Sequence, residues 1–233
     1  MNKPLAEMSA LSINIFKMFK NILLLSHALS ASTPLYCGLG KISCRRDKSI
    51  MNGDSCNTMI WTLPNHAGTH VDAPKHFIEA GKTVVDFKSK EWFFNKINIL
   101  DIDLKGRPKI IEENDLGNFT DCEMLLIRTG FEKRRNSKLY YEKSPGLHPD
   151  LAEALIRKCP SLRAVGIDFI SIASSLDRAL GRKAHKAFLS KNILLIEDMK
   201  LNKITDVPDL IVAAPLFVPG ADASPCTIFG LYL

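Results

Sequence analysis

The sequence has no long hydrophobic run. Nothing in its 233 residues approaches the roughly 20 apolar residues of a membrane-spanning helix. The apolar core at Ile22–Leu25 is too short for a signal-peptide h-region and lacks a clear small-residue cleavage site. A cytoplasmic protein with no membrane partner is expected. Cysteine is sparse and scattered. Its six copies, at 37, 44, 56, 122, 159 and 226, include no C-x-x-C pair, so neither a disulfide framework nor a finger-type zinc site is expected, and the thiols should be free. There is no internal repeat, low-complexity tract or linker, which excludes a solenoid and favours one domain. A net charge of +6 suggests an anionic partner, but the positive charges are spread along the chain. The one run, Lys133-Arg134-Arg135, sits in the polar stretch Glu132–Lys143, which reads as a solvated loop. No nucleic-acid-binding motif accompanies it, so no nucleic-acid partner is expected.

What is present is ordinary globular material: 46% apolar and 24% charged residues, enough to bury a core without staples. Residues 1–20 place Met8, Leu11, Ile15, Met18 and Phe19 at helical spacing, which predicts a short amphipathic N-terminal extension. The body, residues 21–233, carries short Ile/Leu/Val-rich runs between turn residues. Ile22–Leu25, Met59–Leu63, Ile97–Ile102, Met124–Arg128, Ala164–Asp168, Ile193–Glu197, Leu210–Leu216 and Thr227–Leu231 read as strands. Helical patterns are fewer: Pro149–Lys158, with proline placed for the first turn, and Leu176–Leu189. Strands outnumber helices, so an α/β fold with one mixed sheet and a few helices is expected.

The chain has only six histidines, and three fall within eleven residues, in His66-Ala-Gly-Thr-His70-Val-Asp72-Ala-Pro-Lys-His76. All three, with Asp72, stand at even positions, and an extended segment would put them on one face. Gly68 and Pro74 argue against a continuous helix. Imidazole and carboxylate together suit a borderline divalent ion such as zinc or manganese, and three protein ligands leave coordination positions open, the mark of a catalytic site. The competing reading, a chance cluster, weakens with every further residue of the pattern. Phe77 and Trp61 flank the cluster, where two roles are open to each, lining a pocket or packing in the core, and core packing is the expected one. His148, at a helix start, is expected at the surface. His27 is expected at the edge of the site or in a structural role.

The pattern His66-x-Gly68-Thr69-His70-x-Asp72-x-Pro74-x-His76 resembles the H-x-G-T-H-x-D-x-P-x-H signature of the cyclase family, which includes the bacterial arylformamidases (kynurenine formamidases) and the isatin hydrolases. Seven fixed residues arise by chance about once per 10⁹ starting positions at average composition. The likeness runs from about Ile22 to the end of the chain. It continues in Leu25-Ser-His-Ala-Leu29 with Thr33-Pro34, Ile127-Arg-Thr-Gly130, Ser144-Pro-Gly-Leu147, Val165–Ser171, and Ala214-Pro-Leu216 with Gly220-Ala-Asp222 and Pro225.

The resemblance implies a swivelling β/β/α fold, a homodimer or homotetramer, and one or two ions of Zn²⁺ or Mn²⁺ per chain. It also implies that His185 and Glu197, twelve residues apart, complete the metal site. His66 and His70 would hold one ion, Asp72 would bridge, His185 would bind a second, Glu197 would contact both, and His76 would act as general acid/base. The arylformamidases carry Trp-Pro-Gly in the opening segment where this chain has Tyr36-Cys37-Gly38, so Tyr36 is the candidate to stack on a substrate ring. The implied activity is hydrolysis of an amide, lactam or ester of a small molecule. A metal-dependent cyclase or dehydratase, and an inactive metal-binding protein, remain as alternatives.

Overall fold

The computed structural model describes residues 19–38 and 40–233. Of the N-terminal extension expected to be helical, residues 1–20, residues 1–18 lie outside the described residues. Thirteen strands are present among the described residues: β1 (Asn21–Leu24), β2 (Ser43–Lys48), β3 (Thr58–Thr62), β4 (His70–Asp72), β5 (Phe93–Phe94), β6 (Ile97–Asp101), β7 (Ile110–Ile111), β8 (Met124–Arg128), β9 (Gly146–Leu147), β10 (Ala164–Ile167), β11 (Leu194–Glu197), β12 (Leu210–Pro215) and β13 (Ala223–Tyr232). The α-helices are α1 (Leu139–Glu142), α2 (Leu151–Lys158) and α3 (Arg178–Leu189).

Nine strands form one mixed sheet in the order β5-β12-β13-β4-β11-β10-β8-β6, with β1 also on β13. The strands β6, β8, β10 and β11 run parallel to one another. From β11 onward the pairings β11–β4, β4–β13, β13–β12 and β12–β5 are antiparallel. Parallel neighbours need long crossovers, and here α2 and α3 lie in those connections. Of the parallel strands β8, β10 and β11 are buried on both faces, which is why they read as apolar runs, while β6 at the sheet edge is only partly buried. Leu125, Ile127, Val165, Ile167 and Leu195 face a core shared with α2 and α3, while Met124, Leu126, Ala164, Leu194 and Ile196 face a second core closed by β12 and β13.

The expected strands are all present, within a residue or two except that β13 extends well beyond Thr227–Leu231, and the expected helices begin two residues late at Leu151 and Arg178. The strands that sequence reading missed have a common cause. β4 spans three residues and β5, β7 and β9 two each, too short for any periodicity to register. β2 is Ser-Cys-Arg-Arg-Asp-Lys, polar throughout, and pairs only with β3 in an exposed hairpin. Trp61 lies on that hairpin with 58% of its surface exposed, so the expectation of core packing for it is overturned. Among the described residues no second layer covers the hairpin.

The stretch Glu132–Lys143, expected to be a solvated loop, is exposed over much of its length but is anchored by three residues and carries the short helix α1. Glu132 is buried, and one of its carboxylate oxygens accepts from the backbone N–H groups of Leu201 and Asn202, both at 2.8 Å. Arg135 forks onto Asp198 with contacts of 2.9, 3.1 and 2.7 Å, and the fully buried Tyr140 donates its hydroxyl to the same carboxylate at 2.5 Å. Glu132 and Arg135 find their partners only when the chain folds, while Lys133, Arg134, Lys138, Glu142 and Lys143 stay exposed.

Candidate metal centre and its pocket

The four clustered residues do not share one extended face. Only His70 and Asp72 stand two apart on a strand, β4, and so project to the same side. His66 lies in the turn before it, where Gly68 adopts φ +65. The left-handed backbone favours glycine there, and a Cβ would also have to displace the end of the Leu29 side chain, 2.6 Å away. After β4, Pro74 opens a single 3₁₀ turn that ends at His76 and swings it back toward the cluster. Turn, strand and turn converge where a straight strand would have spread the ends apart.

The sheet supplies the remaining carboxylate. Glu197 ends β11 and pairs directly with His70 across the β11–β4 ladder, while Leu195 pairs with Asp72. This is the line where the parallel half of the sheet meets the antiparallel half, at the carboxyl end of β11, the kind of place where mixed α/β sheets present their sites. His185 comes from α3, which can lie close because Gly181 has no side chain. A Cβ there would sit 2.5 Å from Ala173 Cβ.

Distances within the cluster are short. His66 Nδ1 lies 2.9 Å from Asp72 Oδ1, and His70 Nε2 lies 3.4 Å from the same oxygen. His185 Nε2 lies 3.5 Å from Asp72 Oδ2 and 3.4 Å from Glu197 Oε1, and His70 Nε2 lies 3.5 Å from Glu197 Oε2. Two compact ligand sets stand out: His66, Asp72 and His76, and His70, Asp72 and Glu197, each with its donor atoms within 4.8 Å of one another. Asp72 belongs to both. This grouping differs from the expected pairing of His66 with His70, and it brings His76 as close to a ligand set as the others.

The outward nitrogens of the imidazoles are held. His70 Nδ1–H donates to the Gly68 carbonyl at 2.8 Å, and His185 Nδ1–H donates to the Gly181 carbonyl at 3.0 Å, which leaves both Nε2 atoms facing the centre. Asp222 Oδ2 accepts from His66 Nε2 at 3.1 Å and from His76 Nδ1 at 2.8 Å. Glu197 Oε1 accepts from the Ile172 backbone N–H at 2.7 Å and from the Ser171 hydroxyl at 3.1 Å. A ligating histidine usually has its other nitrogen fixed in this way. Asp222, unassigned in the sequence reading beyond its place in the closing segment, thus orients two of the three clustered histidines. Only the fold brings it within reach of residues some 150 positions earlier.

Asp72 gives the test of fit. It is 1% exposed, and although three imidazoles stand 2.9–3.5 Å from its oxygens, among the described residues neither oxygen receives a well-directed hydrogen bond. A buried carboxylate whose hydrogen bonds are left unmade is costly unless a cation meets it. The charges around it respond accordingly. Burial works against ionisation of Asp72, yet the surrounding imidazoles, His185 first, hold its carboxyl well below the usual range. Burial likewise disfavours the charged form of His70 and His185, but the carboxylates outweigh it. Asp72 is the larger influence on both, and they are raised to about 9 and about 10. His66 is also raised, against burial, by its contact with Asp72. His76 is lowered, chiefly by burial. A site that holds protons this firmly in place of a cation suits a divalent ion, and the mixed nitrogen and oxygen donors suit zinc or manganese.

The cluster forms the floor of a cavity of about 260 Å³. Tyr36 and Phe77 line its walls. Phe77 stacks on His185 with centroids 4.8 Å apart and takes both of the roles open to it. It touches the core on one side and the cavity on the other. Tyr36 lies in a 3₁₀ turn, and burial raises its hydroxyl to about 12, so it stays neutral. His27 and His148 are not among the cavity residues. His27 approaches Glu132 at 3.8 Å, and the half-buried His148 pairs with Asp150 at 3.5 Å.

Residues 23–174 match the Cyclase family. The chain is 31% identical over 173 residues to a kynurenine formamidase of Bacillus cereus, an alignment covering 73% of this chain and 78% of that one. An isatin hydrolase crystallised with the product analogue thioisatinate superposes with a TM-score of 0.80 at 18% identity, over 99% of both chains. A protein from Bacillus stearothermophilus described as a "predicted metal-dependent hydrolase" superposes at 0.69 with 21% identity, over 91% of this chain and 98% of that one. Signature, sheet and sequence similarity agree, and the chain belongs to the cyclase family and is a hydrolase.

Proposed function

We propose that the protein is a metal-dependent hydrolase that cleaves a carbon–nitrogen bond of a small aryl amide, in the manner of an arylformamidase. The observation that carries this reading is the buried carboxylate of Asp72, ringed by His66, His70 and His185 at 2.9–3.5 Å with no well-directed hydrogen bond to either oxygen. His66, His70, Asp72, His185 and Glu197 would hold one or two ions of zinc or manganese. Bound there, a divalent ion lowers the pKa of water from 15.7 to about 7 and polarises a carbonyl oxygen.

The chain's own residues supply the rest. Asp222 holds His76 by Nδ1, so Nε2 is the nitrogen left to accept and return a proton. With its pKa lowered, that imidazole is neutral at pH 7 and can take a proton from water, then deliver it to the departing nitrogen. Tyr36 and Phe77 offer aromatic faces to a ring. The reading takes the protein as a cytoplasmic homodimer or homotetramer. The alternatives, a cyclase or dehydratase and an inactive metal-binding protein, would use the same ligands.

The direct test combines elemental analysis of the purified protein with turnover of formanilide before and after chelation. The expected result is one or two zinc or manganese ions per chain, and formate release that chelation abolishes and metal restores. Absence of transition metal, with no gain in activity or thermal stability on adding it, overturns the reading.

A further inference from the structure

The mouth of the cavity carries charge of the opposite sign to its floor. Arg178, Arg182 and His185 all line this cavity. At i, i+4 and i+7 on α3 they share one face of the helix. A rise of 1.5 Å per residue puts Arg182 about 4.5 Å, and Arg178 about 10.5 Å, nearer the helix N-terminus than His185. His185 is buried at the floor, whereas both arginines are exposed.

Neither guanidinium forms an ion pair among the described residues. Arg128, Arg135, Arg157 and Arg163 each have a carboxylate partner. The nearest acid in sequence, Asp177, is committed elsewhere, accepting the Leu180 backbone N–H at 2.9 Å as the helix cap. Arg178 instead lies over the Tyr36 ring, with Cζ 6.0 Å from its centroid. An arginine fork is always charged and matches a carboxylate with two parallel hydrogen bonds. Here two such forks stand unpaired beside the positive end of a twelve-residue helix. A neutral substrate would make no use of them.

We propose that Arg178 and Arg182 form an anion-recognition site at the mouth of the metal pocket, so that the compound cleaved there carries a carboxylate one to two helical turns from the reacting bond. The aromatic walls then lie between the two charged ends, where a ring would sit. The identity of the cleaved bond rests on the hydrolase reading above. The anion site itself does not.

The test uses the metal-loaded full chain, with formanilide and 4-formamidobenzoate as substrates and 4-aminobenzoate as a binding probe read by calorimetry. The expected kcat/KM ratio favours 4-formamidobenzoate by about tenfold or more, the value of charge-assisted hydrogen bonds to one carboxylate. In the Arg178→Gln/Arg182→Gln double variant that ratio collapses toward one, through KM, and 4-aminobenzoate binds about tenfold more weakly. The Arg178→Lys/Arg182→Lys variant keeps part of both effects. If neither formamide is cleaved but 4-aminobenzoate binding still depends on the arginines, the anion site stands and the hydrolase reading falls. If formanilide is cleaved, the wild-type ratio is near one and 4-aminobenzoate ignores both substitutions, the anion site is overturned and the hydrolase reading stands.

Discussion

At the scale of single residues, Asp72 and His76 divide the labour of the centre. Asp72 is buried, belongs to both ligand sets and meets its imidazole neighbours without a well-directed hydrogen bond. His76 is partly open to the cavity and is held by Asp222. His76→Ala should therefore keep most of the metal while losing about 10²–10⁴-fold in kcat, the usual cost of removing a general acid/base. Asp72→Ala should lose both, because the remaining ligands no longer neutralise the cation. Metal content and kcat measured side by side decide the matter. If His76→Ala strips the metal as fully as Asp72→Ala, His76 is a ligand, as its membership of the His66–Asp72 set allows.

At the scale of elements, the junction after β11 depends on a polar knot. Asp198 follows Glu197 directly and adopts φ +53, a left-handed conformation that costs energy in any residue but glycine. Arg135 and Tyr140 hold its carboxylate, its N–H donates to the Phe169 carbonyl at 3.0 Å, and its own carbonyl accepts the Thr69 hydroxyl at 2.5 Å. Thr69 precedes His70, so the knot ties the strand ends that carry His70 and Glu197. Arg135→Ala leaves a buried carboxylate uncompensated and should destabilise the fold by about 3–5 kcal/mol. Tyr140→Phe removes one hydrogen bond from the same carboxylate and should cost about 1–3 kcal/mol. Denaturant titration checks both, and an Arg135→Ala variant as stable as the parent would show that water satisfies Asp198.

At the scale of the whole molecule, protons and metal compete for one site. In the metal-free protein His70 and His185 are raised to about 9 and about 10 from 6.5, so the folded state holds these protons more tightly than the unfolded chain. That stabilisation is fully present below pH 6.5 and is lost as pH rises through 9 to 10. Metal binding requires the same imidazoles neutral. The Tm of chelator-treated protein should thus fall as pH rises above about 8, while the Tm increment on adding zinc or manganese grows from pH 6 to pH 9. A metal increment independent of pH would remove these histidines from the ligand set. The thiols report on the fold as well. Cys122, Cys159 and Cys226 are buried, and burial pushes Cys122 and Cys226 up to about 12, so they stay protonated and unreactive. Thiol titration should find three accessible groups in the native protein, from Cys37, Cys44 and Cys56, and all six after denaturation.

The signature from His66 to His76, the strands of the parallel half and the mixed-sheet class were legible in the sequence because each is a local pattern. Ligand-type residues at fixed spacing and apolar runs between turn residues need no knowledge of the rest of the chain. Pairings across long separations were not legible, since propensity and spacing carry no information about which segments meet. Only the tertiary structure places Asp222 against His66 and His76, buries Arg135 and Tyr140 around Asp198, leaves Trp61 on an uncovered hairpin and puts Phe77 in the cavity wall. Sequence also could not show the path by which His66 and His76 reach the centre. A straight strand was the simplest geometry that aligned four even positions. The chain instead uses a left-handed glycine and a proline-led turn on either side of a three-residue strand, because that strand is hydrogen-bonded on both edges, to β11 and β13, and only its ends are free to bend.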